Sequence, residues 1–224
     1  MSFEKSLVII PVLNEAPRIA ILLQKLRQCG FKHIVVVDDG STDQIEKEIY
    51  DSKVKILTHC QNCGVGAATQ TGIVWGIKQG FDLFFTIDGD GQQNPEDLVK
   101  IRNNLEEHEC VIGSRFLEKN KIPFFRRVAN KIANVLTGIF FGVWVSDSQS
   151  GLRGFSLKVA QKLTLHANGF EYCSEFIREV NHAGFEIFEV PISVKYTTET
   201  LAKGQNFSEG IKTFGKLFLR ALSR

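Results

Sequence analysis

The chain has 224 residues, of which 43% are hydrophobic and 23% charged, and its net charge is +2. That length suits one α/β unit with a short appendage, and the composition argues against disorder, low complexity or a repeat array. The near-neutral balance without a basic run argues against a nucleic-acid partner, and an odd set of five cysteines argues against a disulfide framework.

Residues 7–10 are a continuous apolar run, the pattern of a strand buried on both faces. Pro11 through Glu15 end it. Within 17–29, Ile19, Leu22, Leu23 and Leu26 recur at helical spacing, and Gly30 follows as a C′ residue would. Residues 34–37 form a β-branched strand ending in Asp38-Asp39-Gly40-Ser41, and Ser41 or Thr42 is placed to cap a helix over 43–50. A third strand covers 54–57. Asn62-Cys63-Gly64-Val65-Gly66 opens a helix reaching about Gln79, and residues 83–87 form a fourth strand with Asp88-Gly89-Asp90-Gly91 at its end. Pro95 starts a helix at its first position, and 110–113 form a fifth strand.

Strands alternating with helices predict an α/β fold whose central sheet is mostly parallel and flanked by helices on both faces. The second half is less regular. It predicts an apolar helix or helix pair over 131–145, a strand or turn over 151–155, a helix over 171–184, a strand over 186–196 interrupted at Pro191, and a helix over 208–224. The longest apolar stretch, residues 133–145, falls short of the roughly 20 residues a membrane span needs. The first residues lack the basic start of a signal peptide. These features predict a cytoplasmic protein with room for peripheral contact at the inner face of a membrane. The C-terminal helix is amphipathic: Ile211, Phe214, Leu217, Phe218, Ala221 and Leu222 share one face, and Lys212, Lys216, Arg220 and Arg224 recur on the other. That pattern fits either an interfacial membrane helix or docking on the domain's own core.

Three polar clusters, Asn14-Glu15, Asp38-Asp39 and Asp88-Asp90, fall just after strands, where α/β folds collect their functional groups. Asp88 and Asp90 are alternate carboxylates that can point into one cleft and share Mg²⁺ or Mn²⁺ with a diphosphate; alone, the same residues also fit a solvated Asp-Gly turn. Asp38 or Asp39 can accept hydrogen bonds from a base or ribose, or cap a helix. Gly64 and Gly66 permit close backbone approach at a helix N-terminus, an anion site in other folds. Arg115, Arg126, Arg127, Arg153 and Lys203 are the candidates for phosphate binding. His59-Cys60-Gln61-Asn62-Cys63 has zinc-like spacing but no second cysteine pair, so both cysteines are read as packing at a strand-to-loop junction.

The ordered set Ile10-Pro11-Val12-Leu13-Asn14-Glu15, Val37-Asp38-Asp39-Gly40-Ser41-Thr42-Asp43, Asn62-x-Gly64-x-Gly66-Ala67-Ala68 and Asp88-Gly89-Asp90-Gly91-Gln92 resembles family 2 glycosyltransferases with the GT-A fold. Gly113-Ser114-Arg115-Phe116, Asp147-Ser148-Gln149-Ser150-Gly151-Leu152-Arg153 and Glu189-Val190-Pro191-Ile192 are similar to the polyprenyl-phosphate mannose or glucose synthase-like branch. The resemblance covers about residues 6–205 and divides the chain into a transferase domain, 1–205, and a helix within 206–224.

The resemblance implies that Pro11, Asn14, Glu15, Asp38, Asp39 and Gly66 line the donor pocket. It implies that Asp88 and Asp90 hold the metal and diphosphate with Gln92 beside them. Arg115 and Arg127 would face phosphates near the acceptor, and Asp147, Arg153, Glu175 and Lys203 would lie along the acceptor side. Where dolichyl-phosphate mannose synthases carry a Gly-x-Ser-Lys-like loop, this chain reads Thr200-Leu201-Ala202-Lys203-Gly204-Gln205. The implied reaction moves a hexose from a UDP- or GDP-sugar, with inversion, to a polyprenyl phosphate. A phosphate acceptor is already largely anionic at neutral pH and needs no base. A sugar hydroxyl in polysaccharide assembly would need one, with Asp147 and Glu175 as candidates. Two other readings are a non-catalytic nucleotide-sugar-binding protein and a nucleotidyltransferase, which would want a basic Gly-rich loop after the first strand.

Overall fold

The computed structural model describes residues 3–194, apart from 52 and 121. Within them, β1 (Ser6–Val12), β2 (His33–Asp38), β3 (Val54–Thr58), β4 (Leu83–Thr86), β5 (Cys110–Ser114), β6 (Arg153–Ser156) and β7 (Phe188–Pro191) form one sheet. The spatial order is β3-β2-β1-β4-β6-β5-β7. All pairings are parallel except those of β6, which runs antiparallel to both β4 and β5. Helices α1 (Ala16–Gln28), α2 (Val65–Lys78), α3 (Asp97–Asn104), α4 (Phe124–Phe141), α5 (Leu157–Ala160) and α6 (Tyr172–His182) complete the described fold.

Every residue of β1 is buried, as its unbroken apolar run requires. Its alternate side chains enter two cores. Val8, Ile10 and Val12 pack with Ile19, Leu23 and Leu26 of α1 and with Leu98 and Ile101 of α3. Leu7 and Ile9 pack on the other face with Ala68 and Ile73 of α2 and with Phe176, Ile177 and Val180 of α6. Each large side chain so buried contributes about 1.5–3 kcal/mol. Gly72 and Gly76 let α2 lie against β1, since a Cβ at either would overlap Ile9 or Leu7.

Several boundaries depart from expectation for identifiable reasons. The helix expected over 43–50 is only a 3-10 turn, Ile45–Glu48. Gln44 takes a left-handed backbone (φ 54°), and the Asp43 carboxylate is used elsewhere, accepting from the Ala16 N–H at 2.8 Å to cap α1. Ser41 and Thr42 cap nothing there; both bond to Asn14. The helix expected to open at Pro95 starts at Asp97, after a turn in which the Leu98 N–H bonds to the Pro95 carbonyl at 3.1 Å. The helix expected at 131 begins at Phe124, directly after Pro123. Residues 195–224 lie outside the described residues, and with them Lys203 and the expected helix over 208–224.

Candidate active site

The parallel strands β1, β2, β4 and β5 end on one edge of the sheet. Because β6 is antiparallel, its N-terminal end reaches that same edge, so the loop before Arg153 meets the residues after β4 and β5. The order β2-β1-β4 also places the edge's crevice between β1 and β4, where chain connections diverge in opposite directions.

On the β1–β2 side, Asn14 has φ 56° and ties two loops together. Its N–H donates to Ser41 Oγ at 2.9 Å, and its Oδ1 accepts from the Thr42 N–H at 2.9 Å. Glu15 is nearly buried and pairs with Arg18 at 2.7 Å. Asp38 Oδ1 accepts from the Ser41 N–H at 2.9 Å. Asp39 is buried and takes the N–H groups of Cys63 and Gly64 at 2.9 and 2.7 Å, with His59 Nδ1 at 2.7 Å. Pro11 sits in buried β1.

This arrangement corrects the reading of the Gly64–Gly66 turn as an anion site. An internal carboxylate, Asp39, already occupies the amides before α2, and the Gly66 N–H donates to the Asn168 carbonyl at 2.8 Å. Gly66 is required for packing, because a Cβ there would overlap the Ala167 carbonyl. Cys60 is exposed rather than packed. Asp39, His59 and Cys63 place ligand-type atoms within 4.8 Å of one another. His59 Nε2 also meets Thr71 Oγ1 at 3.0 Å, so the cluster is a satisfied polar network.

The centre of the edge is Asp88-Gly89-Asp90. Gln93 grips Asp88 twice: Nε2 donates to Oδ2 at 2.7 Å, and Oε1 accepts from the Asp88 N–H at 3.0 Å. Gln92 holds Asp90 through its N–H at 3.0 Å and its side-chain amide. Burial and the neighbouring Asp90 charge push Asp88 up to about 7, against the pull of Arg153 and Arg115. Two adjacent oxygen-donor carboxylates with excess negative charge fit a hard divalent cation such as Mg²⁺ or Mn²⁺. Gly151 lies against this pair; a Cβ would overlap both carboxylate oxygens of Asp88.

Arg115 follows β5 and is held by a fork. Its Nε and Nη2 donate to the two oxygens of Asp147, both at 2.6 Å, and its own N–H adds a third bond at 3.0 Å. Asp147 is fully buried. With three bonds to Arg115 and no exposure, it orients Arg115 and is not placed to act as a base. The Ser146-Asp147 segment is in turn fixed by Glu189, which accepts from the Ser146 N–H at 2.9 Å, from Ser146 Oγ at 2.7 Å and from the Asp147 N–H at 3.3 Å.

Two further residues leave the acceptor side. Glu175 is buried and accepts from the His166 and Ala167 N–H groups at 3.0 and 2.7 Å, anchoring that loop. Arg153 is 1% exposed; its guanidinium stacks 4.3 Å from the Phe176 ring and donates to the Ser150 carbonyl at 2.8 Å. From there it acts on the site as a buried positive charge behind Asp88 and cannot touch an acceptor. Arg127 is exposed on the first turn of α4.

The family profile described as Glycosyl transferase family 2 matches residues 7–164, well over half of the chain. The chain belongs to glycosyltransferase family 2. It is 34% identical over 241 residues to the UDP-N-acetylglucosamine–dolichyl-phosphate N-acetylglucosaminyltransferase of Methanococcus voltae, covering 97% of this chain and 96% of that protein. It is 31% identical over 205 residues to the polyprenol monophosphomannose synthase of Mycolicibacterium smegmatis, covering 85% and 77%. Among solved structures, glucosyl-3-phosphoglycerate synthase from Mycobacterium tuberculosis, in complex with Mn²⁺, UDP and glucosyl-3-phosphoglycerate, superposes with a TM-score of 0.74. At 18% identity, over 96% of this chain and 79% of that one, the likeness establishes the GT-A fold.

In this family 2 glycosyltransferase, four residues that shape the site had no role assigned from the sequence: Gln93, His59, Gly151 and Glu189. Gln93 and Gly151 adjoin motifs that were legible, and their signal is that adjacency. The bonds of Glu189 and His59 cross 43 and 20 residues of chain, and no local pattern announces them.

Proposed function

We propose that this glycosyltransferase moves a hexose from a nucleoside-diphosphate sugar to the phosphate of a polyprenyl lipid, with inversion at the anomeric carbon. A divalent cation held by Asp88 and Asp90 would neutralise charge developing on the departing diphosphate. Arg115, fixed by Asp147, contributes a preorganised positive charge to the same end, and fixed charges of this kind are commonly the largest catalytic term. Pro11, Asn14, Glu15, Asp38 and Asp39 are assigned to the nucleotide side of the crevice, with Gln92 holding Asp90 and Arg127 left as a phosphate contact at its rim.

One observation carries the choice of acceptor: both carboxylates proposed as base are buried and engaged, Asp147 by Arg115 and Glu175 by the His166 and Ala167 N–H groups. An acceptor hydroxyl would find neither able to take its proton. A phosphate monoester, with a second pKa near ~6, arrives ionised. Its oxygen attacks the anomeric carbon as the bond to the diphosphate breaks, and no proton changes hands. The names of the two relatives, both acting on lipid phosphates, support the same reading.

The test is a screen of UDP- and GDP-sugars with Mg²⁺ or Mn²⁺, offering dolichyl phosphate, undecaprenyl phosphate or a free oligosaccharide. Formation of an acid-labile lipid-phosphate sugar, stopped by chelator, is the expected result. Transfer to the oligosaccharide alone would overturn the acceptor assignment, and no turnover of any donor would favour a binding protein.

A further inference from the structure

Besides the hard-cation pair Asp88 and Asp90, the fold gathers a second group of ligand-type side chains. Asp39 follows β2, His59 follows β3, and Cys63 lies in the turn before α2. A carboxylate oxygen, a ring nitrogen and Sγ lie within 4.8 Å of one another. Asp39 is buried, and His59 and Cys63 are half-buried. Cys60, exposed, stands one C-x-x-C step before Cys63. The sequence lacks a second cysteine pair to complete a metal site. The fold brings His59 and Asp39 there instead, Asp39 from 24 residues before Cys63.

Thiolate, imidazole and carboxylate together form a donor set for zinc, whereas magnesium takes oxygen ligands. Tetrahedral zinc, with bonds of about 2.0 Å to nitrogen or oxygen and about 2.3 Å to sulfur, spaces its ligand atoms roughly 3.3–3.8 Å apart. Asp39 Oδ1 and His59 Nδ1 are 2.7 Å apart around one proton. They need to part by only about 0.6 Å when a metal takes that proton's place. The other bonds of the network suit the outer layer of such a site. His59 Nε2 faces Thr71 Oγ1 at 3.0 Å, so a ring metallated at Nδ1 keeps a partner for its other N–H. Asp39 accepts from the Gly64 N–H at 2.7 Å and the Cys63 N–H at 2.9 Å, bonds that orient the carboxylate with or without metal. Cys63 Sγ donates to the Gln61 carbonyl at 3.4 Å, a weak bond that ionisation of the thiol gives up.

We propose that Asp39, His59 and Cys63 form a seat for one thiophilic divalent cation of the zinc class, with Cys60 as the fourth ligand. Binding releases the two thiol protons to solvent, and neutral His59 carries its proton on Nε2. The cation ties the residue after β2 and the residue after β3 to the turn that opens α2. The polar network of the metal-free chain holds the same ligands in readiness. This seat is separate from the Mg²⁺ or Mn²⁺ pair and does not depend on the transfer reaction proposed above.

The experiment is a Co²⁺ titration of the reduced full chain in excess Mg²⁺, which occupies the hard-oxygen pair. A thiolate-to-cobalt charge-transfer band, with the intense visible bands of tetrahedral cobalt, is expected to saturate at one equivalent. Zn²⁺ is expected to erase it, since zinc binds such donors more tightly than cobalt. Cys63→Ser is expected to weaken binding at least about a hundredfold and Cys60→Ser at least about tenfold. Neither cysteine is buried, so both variants are expected to keep the melting temperature of the metal-free chain. Zn²⁺ is expected to raise the melting temperature of the wild type and to leave Cys63→Ser unmoved. A wild type without the charge-transfer band overturns the proposal, as does a band that survives undiminished in Cys63→Ser. X-ray absorption of the zinc-loaded wild type gives a check that needs no variant. Two sulfurs and two lighter atoms around zinc are the expected result, and a shell of oxygen alone overturns the seat.

Discussion

Replacing Asp88 by Asn is expected to stabilise the metal-free protein while abolishing metal-dependent transfer. Asp88 is held at about 7 in the fold, chiefly by burial and then by Asp90, against a usual value of 3.8. A folded-state pKa raised in this way means the native protein binds the proton more tightly than the unfolded chain. The carboxyl therefore costs nothing below pH 4, costs progressively more as pH rises, and reaches its full cost above pH 7. A displacement of about three pH units corresponds to about 4 kcal/mol. Asn has the same shape, and its amide oxygen can still accept from Gln93 Nε2, so most of that cost should be recovered. For a protein of this size, a gain of about 2–4 kcal/mol raises the melting temperature by roughly 5–10 °C. Urea denaturation with chelator, at pH 5 and pH 8, measures the difference. The gain should be full at pH 8 and well under half that at pH 5. Added Mg²⁺ or Mn²⁺ should stabilise the wild type and leave the variant unmoved. Equal or lower stability of the variant at pH 8, or the same gain at both values, would refute the account of Asp88 as an electrostatically strained residue.

Gly151→Ala should push the Asp88 carboxylate aside and raise the metal concentration for half-maximal activity by about tenfold or more, read from a metal titration of turnover. Arg115→Met strands the fully buried Asp147 carboxylate and should cost about 3–5 kcal/mol in urea denaturation, with Asp147→Asn in the same chain recovering much of it. Glu189→Gln turns an amide N–H toward the Ser146 and Asp147 N–H groups. It should lower kcat roughly ten- to hundredfold with little change in donor KM, and a normal kcat would dismiss its positioning role.

The strands and their parallel sense were legible because runs such as Leu7-Val8-Ile9-Ile10 carry their burial in their own composition. Asp88-Gly89-Asp90 was legible for a similar reason: its place after a strand puts it on the functional edge whatever surrounds it. Roles that depend on partners were not legible. Asp147, Glu175 and Arg153 stand in the right part of the chain, and only three-dimensional contact reveals that one aims an arginine, one anchors a loop and one is a buried charge. Asp43 makes the same point for local structure. Nothing near it says that its carboxylate will cap a helix 27 residues earlier, leaving residues 45–48 with a single turn. The apolar character of α4 was visible, whereas the direction it faces was not, because a stripe of apolar residues reads the same turned inward or outward.

The placement of β6 has a consequence for how the chain is made. Its two neighbours, β4 and β5, precede it in sequence by 67 and 39 residues counted from their last strand positions to Ser156's strand start, Arg153. A growing chain thus completes β1 through β4 as a parallel unit with the inner edge of β4 bare, and β5 waits beside it with an open edge of its own. Only when residues 153–156 leave the ribosome can one short strand close both gaps. Until then, two buried-type strands expose unpaired backbone, a state prone to pairing with other chains. A ribosome pausing between residues 114 and 153 would prolong that exposure.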